Sequence, residues 1–293
     1  MSEVPNFVNT DIFDKVQIES IKKELLTWND SVLKSHNDST HLIHKLAFLA
    51  DIGFTVDDPI IKTIVDIITS HISPEGVFQV QVNISPSYGG TGQNQWTWML
   101  CDAPLVLYSL AKMGLKDDPR IKNAVNYLAD LNSEVGWECI VSPDLGKFRG
   151  PGRKADPCPY ATLIMLKLLA LFPDWKDRDC CKVGAETLLR LWKQRKERRP
   201  YMFAMGSTFV KIKAPLIWYD ILHVTYVLTQ FDWLKNDERL NSMVNLILSK
   251  ADEQGIFKAE SVYKAWSAWE FGQKKTASRW LTHLVKEIQG RLN

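Results

Sequence analysis

The chain has 293 residues, of which 45% are hydrophobic, so it is long enough to bury a large core. Its formal net charge of +2 shows no global excess of basic residues, and a nucleic-acid partner is therefore not expected. Apolar runs stay shorter than the roughly 18 residues of a membrane-spanning helix, so no transmembrane segment is predicted. The polar N-terminus and the odd number of cysteines, five, predict free thiols and a cytoplasmic location.

A two-helix pattern recurs along the chain with a constant spacing. Its markers are Asp57, Asp117, Asp177 and Asp237, which stand 60 residues apart. In each unit an apolar run precedes the aspartate and an amphipathic run follows it, which is typical of a helical hairpin repeat. The repeats begin near residues 38, 98, 156 and 215. An N-terminal helix and lead-in (1–37) precede them, and a C-terminal cap (260–293) follows.

The second unit has the clearest pattern. Residues 103–114 are apolar on almost all sides and predict a buried helix. Asp118 is a good N-cap, and Pro119 fits the first position of the amphipathic helix that follows. The corresponding positions in the other units are Asp58, Asp177 and Asp237.

About five such hairpins in one domain (1–293) predict an all-α fold, an α/α toroid that is also described as an incomplete α/α barrel. The buried helices would surround a central cavity, and their N-terminal ends would meet at one mouth. Long connections, roughly 79–99, 138–156 and 200–214, would cover that mouth, and long loops in compact domains are often functional. The competing architecture is an open α-solenoid.

Three residues near the predicted mouth form a candidate metal site: Asp156, Cys158 and His223. A carboxylate, a thiolate and an imidazole can bind zinc and leave a fourth position for substrate. A zinc-bound thiolate stays deprotonated near neutral pH and can attack an alkyl carbon. In the alternative interpretation Asp156 is a helix cap, Cys158 a small buried residue and His223 a hydrogen-bonded core residue.

Cationic and aromatic residues accompany the same helix starts. Positive charge at helix N-termini suits an anion or a diphosphate, and the candidates for that role are Arg149, Arg153 and Lys154. Aromatic faces suit an isoprenoid chain and an allylic cation, and the candidates are Trp96, Trp98, Trp218 and Tyr219. In the alternative interpretation the cations belong to a solvated loop, and the aromatic rings pack helix ends together.

Two aspartates, Asp102 and Asp220, occupy nearly equivalent starts of buried helices. Facing carboxylates can act as general acid and base, as they do in α/α-barrel glycosidases or cyclases. Tyr160 lies at the same level and is the third candidate catalytic residue. The alternative role of both aspartates is to cap their helices and complement the helix dipoles.

Two segments at these helix starts resemble a known family. FRGPGRKADPCPY (148–160) resembles the β subunit of protein prenyltransferases, in which a Gly-Arg-x-x-Lys stretch precedes a zinc-binding Asp-x-Cys pair. YDILHVTYVL (219–228) is similar to the later helix of that family that carries a zinc-binding His. GGTGQ (89–93), SEVGW and DEQGIF are similar to the repeat motifs that this family shares with squalene and other terpenoid cyclases.

The resemblance implies the toroid fold, zinc ligands at Asp156, Cys158 and His223, and a diphosphate site at Arg153 and Lys154. It also implies a hydrophobic isoprenoid substrate and a separate partner subunit. An Asp-x-Asp-Asp motif does not occur in the sequence, which argues against a proton-initiated cyclase.

Three functions are therefore open at the level of the sequence. The first is a prenyltransferase-like, zinc-dependent enzyme that acts on an isoprenoid or another hydrophobic molecule. The second is a non-catalytic toroid that binds a protein through its mouth or its surface. The third is a metal-independent terpenoid lyase or cyclase that uses Asp102 and Asp220.

Overall fold

The computed structural model describes residues 10–146, 148, 156–197 and 202–293, and within these ranges the chain is mostly helical. This agrees with the predicted helical class. The helices are α1 (Lys15–Leu25), α2 (Leu42–Asp51), α3 (Pro59–Thr69), α4 (Ala103–Leu110), α5 (Pro119–Asp130), α6 (Pro159–Leu169), α7 (Pro173–Lys176), α8 (Asp179–Lys193), α9 (Ile221–Leu228), α10 (Glu238–Leu248) and α11 (Arg279–Leu292). A π-helical turn, Ala111–Leu115, continues α4.

Helices α2, α4, α6 and α9 form the buried part of the helical array. Every residue of α4, α6 and α9 is buried, and in α2 only Lys45 and Asp51 keep partial exposure. Helices that are apolar on all sides are stable only where other elements cover them completely. The buried helix predicted after Ala103 is confirmed.

The amphipathic helices begin where their capping residues predict. Asp58, Asp118 and Asp237 are the N-caps of α3, α5 and α10, and each accepts a hydrogen bond from a backbone N–H of the first turn. The start of α8 differs from the prediction, because Asp177 is the C-cap of the short helix α7 and α8 begins at Asp179.

A small sheet lies outside the helical pattern and was not predicted. Its strands are β1 (Val32–Leu33), β2 (Val80–Asn83) and β3 (Asn94–Thr97). Strand β2 pairs in parallel with β1 and antiparallel with β3, with Val80 opposite Thr97. Burial alternates along β2, as in a half-covered strand, so part of the long connection predicted over 79–99 is regular structure.

The buried helices pack in chain order, α2 against α4, α4 against α6 and α6 against α9. The first and last parts of the described chain also meet. Trp266 donates its indole N–H to the carbonyl of Ser39 at 2.9 Å, and the ring of Phe48 lies 5.0 Å from the rings of Trp266 and Trp269. No described helix is both long enough and apolar enough to cross a membrane.

The C-terminal ends of α2, α4 and α6 meet at a buried ionic network. Asp51, the last residue of α2, accepts the hydroxyl of Tyr108 and lies 3.3 Å from the ammonium groups of both Lys112 and Lys167. Burial alone would raise the pKa of Asp51, but Lys167 and Lys112 outweigh it and lower the pKa to about 2. Since the C-termini of these helices meet here, their N-termini gather at the opposite end.

Candidate functional site

The N-terminal ends of the buried helices contact one another through polar side chains. The His36 Nε2 atom, in the segment before α2, lies 3.3 Å from Oδ2 of Asp102, the residue before α4. The Tyr160 hydroxyl, in the first turn of α6, donates to the carbonyl of Ile217 at 3.0 Å, in the segment before α9. The candidate residues of successive repeats are thus brought to one end of the array.

Three cysteines at this end, Cys101, Cys139 and Cys158, form what we call the thiol cluster. The Cys101 sulfur lies 3.7 Å from that of Cys139 and 3.6 Å from that of Cys158, and all three sulfurs lie within 4.8 Å of one another. Cys101 and Cys158 are buried, and Cys139 is half-buried. Among the described residues, these three side chains lie close enough together to hold a metal ion.

Backbone hydrogen bonds between two connections assemble the thiol cluster. The residue before Cys101 donates its N–H to the carbonyl of the residue after Cys139 at 2.9 Å. The N–H of Cys158 donates to the carbonyl of Trp137, also at 2.9 Å. The connection that carries Cys139 is therefore fixed on one side to the start of α4 and on the other to the start of α6.

The surroundings of the two buried thiols favour their protonated form. The hydrogen bonds with Cys139 and Cys158, followed by burial, raise the pKa of Cys101 well above its usual value. For Cys158, the hydrogen bond with Cys101 acts to lower the pKa, but the contact with Cys139 and burial outweigh it and raise the pKa to about 12. A bound cation would reverse this preference, because a metal ion stabilises the thiolate.

Of the three predicted zinc ligands, Cys158 belongs to the thiol cluster, whereas Asp156 and His223 lie outside it. Asp156 is half-buried in the segment before α6. His223 is fully buried in the first turn of α9, and its Nδ1 lies 3.0 Å from the carbonyl of Trp218. Burial lowers the pKa of His223 to about 3, so the imidazole is neutral at physiological pH.

The sequence analysis missed Cys101 and Cys139, and only one of them has a signal in the sequence. Cys101 and Cys158 are 57 residues apart, close to the repeat period, so they occupy corresponding starts of successive buried helices. That spacing was a usable signal. Cys139 lies in a long connection without periodicity, and only its backbone pairing brings it beside the other two.

Both predicted catalytic aspartates are fully buried at helix starts. Asp102 accepts the N–H of Met99 at 3.0 Å, and Asp220 accepts that of His223 at 3.0 Å, so Asp220 also caps α9. Burial raises the pKa of Asp102, and His36 partly opposes this rise. Burial likewise raises the pKa of Asp220 to about 6 against the effect of Lys213, whose ammonium lies 3.8 Å away.

Tyr160 and two of the predicted aromatic residues, Trp218 and Tyr219, are joined by a chain of ring contacts that includes two phenylalanines. Tyr160 and Trp218 have ring centroids 4.5 Å apart, and Phe203 lies 5.5 Å from Trp218. Phe203 and Phe209 both contact the ring of Tyr219, at 5.6 and 5.1 Å. We refer to these five residues as the aromatic group. Burial raises the pKa of Tyr160 well above its usual value. Tyr160 stands two residues after Cys158, so the aromatic group begins beside the thiol cluster.

The other two predicted tryptophans have different neighbours. Trp96, in β3, stacks on His71 with ring centroids 3.5 Å apart. Trp98 is buried with its ring edge against Tyr127, and its indole N–H donates to Glu75 at 3.2 Å. The predicted diphosphate residues, Arg149, Arg153 and Lys154, lie outside the described residues.

No model of a protein family matches the chain, and no curated protein matches it.

Proposed function

We propose that this protein is a prenyltransferase-like enzyme that binds an isoprenoid or a similar hydrophobic molecule within an α/α toroid. The toroid is supported by the succession of contacts from α2 to α9 and by the contact between Trp266 and Ser39. In an open solenoid the first and last repeats would not touch.

One observation carries the functional proposal. The aromatic group lies at the same end of the array as the thiol cluster and the buried carboxyl of Asp102, because Tyr160 stands two residues after Cys158 and Asp102 directly follows Cys101. Ring faces suit a hydrophobic chain and a developing allylic cation. Carboxyl groups beside them can hold or move a proton.

One zinc ion is part of the proposal. Thiol donors fit it, because zinc accepts thiolate ligands readily. When bound, zinc would supply a Lewis acid that keeps a coordinated sulfur or oxygen nucleophile deprotonated near neutral pH. The basic residues between positions 149 and 154 are the proposed partners of a departing diphosphate. A separate partner subunit is also part of the proposal.

Binding of farnesyl diphosphate tests the proposal. We expect the purified, zinc-loaded protein to bind it more tightly than farnesol or inorganic pyrophosphate, measured by calorimetry. Trp218→Ala should weaken this binding by about tenfold or more, because it removes a ring face from the aromatic group. Trp233→Ala is the matched control, since Trp233 is exposed beside Phe231. Equal affinity in wild type and Trp218→Ala, or no binding at all, contradicts the proposal.

A second candidate is favoured by the raised pKa values of the two aspartates. A carboxyl with a pKa of about 6, such as Asp220, can act as a general acid or base without any metal. In this metal-independent lyase or cyclase, release of diphosphate from farnesyl diphosphate would survive Cys158→Ser and be lost in Asp102→Asn. Prenyl transfer that is lost in Cys158→Ser would favour the first candidate.

A further inference from the structure

We infer that Cys101, Cys139 and Cys158 together bind one zinc ion as three thiolates. This ligand set shares only Cys158 with the set predicted from the sequence. The inference deepens the proposed function, on which its catalytic part rests, whereas the metal site itself depends on the sulfur positions alone. The two proposals can therefore fail separately.

The sulfur distances match those of a zinc site. Zinc–sulfur bonds of about 2.3 Å at tetrahedral angles hold two sulfurs about 3.8 Å apart. The Cys101 sulfur lies 3.7 Å from Cys139 and 3.6 Å from Cys158, close to this value. A disulfide requires about 2.05 Å between sulfurs, which is much shorter than either distance. Bringing a metal to the cluster needs only small movements of these side chains.

Two helix N-termini would help to stabilise thiolates at this position once a cation is bound. Cys158 is the N-cap of α6, and its sulfur accepts the N–H of Ala161 at 3.4 Å. Cys101 lies two residues before the start of α4. Helix N-termini carry partial positive charge that stabilises thiolates. Three thiolates and a zinc ion have a net charge of −1, which the two helix ends help to balance.

Three protein ligands leave the fourth position of the zinc for a group from outside the cluster. A thiol or hydroxyl nucleophile of the substrate could take that position, where the ion would keep it deprotonated near neutral pH.

Zinc content distinguishes the two ligand sets. Cys101→Ser and Cys139→Ser should each weaken zinc binding by more than about tenfold, since even changes behind a ligand cost that much. Asp156→Asn and His223→Gln should keep about one zinc per chain. Cys181→Ser is the matched control, because Cys181 is a buried free thiol in α8 outside the cluster. Cys139 is only half-buried, so its variant tests the idea even if Cys101→Ser fails to fold.

Cobalt substitution gives a readout that is independent of activity. The cobalt-loaded protein should show thiolate-to-cobalt charge-transfer absorption, and Cys139→Ser should lose part of it.

Three results would overturn the inference. They are full zinc content in Cys101→Ser and Cys139→Ser, loss of zinc in His223→Gln and Asp156→Asn only, and no binding of zinc or cobalt by the reduced wild type. Zinc binding without farnesyl diphosphate binding supports this site and contradicts the proposed function. Farnesyl diphosphate binding by a protein that takes up no zinc contradicts this site alone.

Discussion

Buried histidines make the folded chain less stable at acidic pH. Burial lowers the pKa of His41 to about 4 and the pKa values of His44 and His223 to about 3. An imidazole in the unfolded chain has a pKa of about 6.5. Between that value and the folded pKa, the unfolded chain holds a proton that the folded chain lacks. The contribution of each histidine to stability is therefore present above about pH 6.5 and is lost as the pH falls.

His44→Gln should make the protein less sensitive to acid. Its side-chain amide can replace the hydrogen bond between His44 Nε2 and the carbonyl of His36, which is 2.9 Å long, and it does not titrate. Between about pH 6.5 and 4, the slope of the unfolding free energy against pH should be smaller in the variant than in the wild type by about 1.4 kcal/mol per pH unit. The groups that influence His44 are His36, Asp38 and His41, and the variant keeps all of them.

Urea denaturation at several pH values measures this effect. His283→Gln, which removes a half-exposed imidazole from α11, is the control for the loss of a histidine outside the buried core. The same pH dependence in wild type and His44→Gln would mean that His44 is not a buried neutral group.

At the level of single residues, the sequence located part of the candidate site. The repeat period placed Cys158, Tyr160, Trp218 and Tyr219 at helix starts, and the structure brings these together. It could not indicate Cys139, whose position depends on pairing between two loops. Phe203 and Phe209 were also missed, because they lie in a connection where no helical periodicity marks the buried face.

Helices α6 and α8 approach closely at a glycine. A Cβ atom on Gly184, in α8, would lie 2.7 Å from the ring of Trp137. The ring cannot move away freely, because its indole N–H donates to the carbonyl of Leu128 at 3.1 Å. Trp137 also accepts the N–H of Cys158, so this contact supports the connection that carries Cys139.

Gly184→Ala should destabilise the protein, although alanine is the better helix former. Overpacking typically costs about 1–3 kcal/mol, which exceeds the gain of about 0.5–1 kcal/mol in helix propensity. Gly290→Ala in α11 is the matched control, because no atom lies within 4 Å of the added Cβ. It should stabilise the protein in the same denaturation experiment. A stabilised Gly184→Ala would contradict the close packing described for α8.

Helix positions were more predictable than strands. Asp58, Asp118 and Asp237 mark helix starts by local chemistry that does not depend on the rest of the fold. Strand β2 could not be predicted, because the alternating pattern of four residues is weak compared with the long helical repeats around it. The close approach at Gly184 depends on the partner helix and has no local signature.

Aromatic contacts couple the two ends of the chain. The ring of Phe48, in α2, contacts the rings of Phe13, Trp266, Trp269, Phe271 and Trp280. Phe48 is almost completely buried. Through this one side chain, a buried helix of the first repeat and the C-terminal segment share a core.

Phe48→Ala should lower the unfolding free energy by about 3–5 kcal/mol, since it leaves a cavity among several rings. Hydrogen exchange should become faster in α11 as well as in α2, because the variant weakens the contact between the ends. Phe231→Ala, which removes an equally buried ring from the connection after α9, is the control. It should destabilise the protein without faster hydrogen exchange in both α2 and α11. Faster exchange in α2 alone would favour the open solenoid over the proposed toroid.

The whole fold was only partly accessible from the sequence. The repeat predicts the number and order of the hairpins, since period and apolar pattern are local. Closure of the ends depends on contacts such as Trp266 with Ser39, which are separated by most of the chain. The toroid therefore stays a proposal whose strongest support is this one contact region.

The thiol cluster has a consequence for how such a protein can arise. Cys101 precedes the buried helix of one repeat, Cys158 precedes that of the next, and Cys139 lies in the connection between them. An ancestor consisting of a single hairpin could not have contained all three sulfurs. If the repeats arose by gene duplication, the cluster became possible only afterwards, at the junction of two copies. Descendants that lose either copy lose the whole cluster at once.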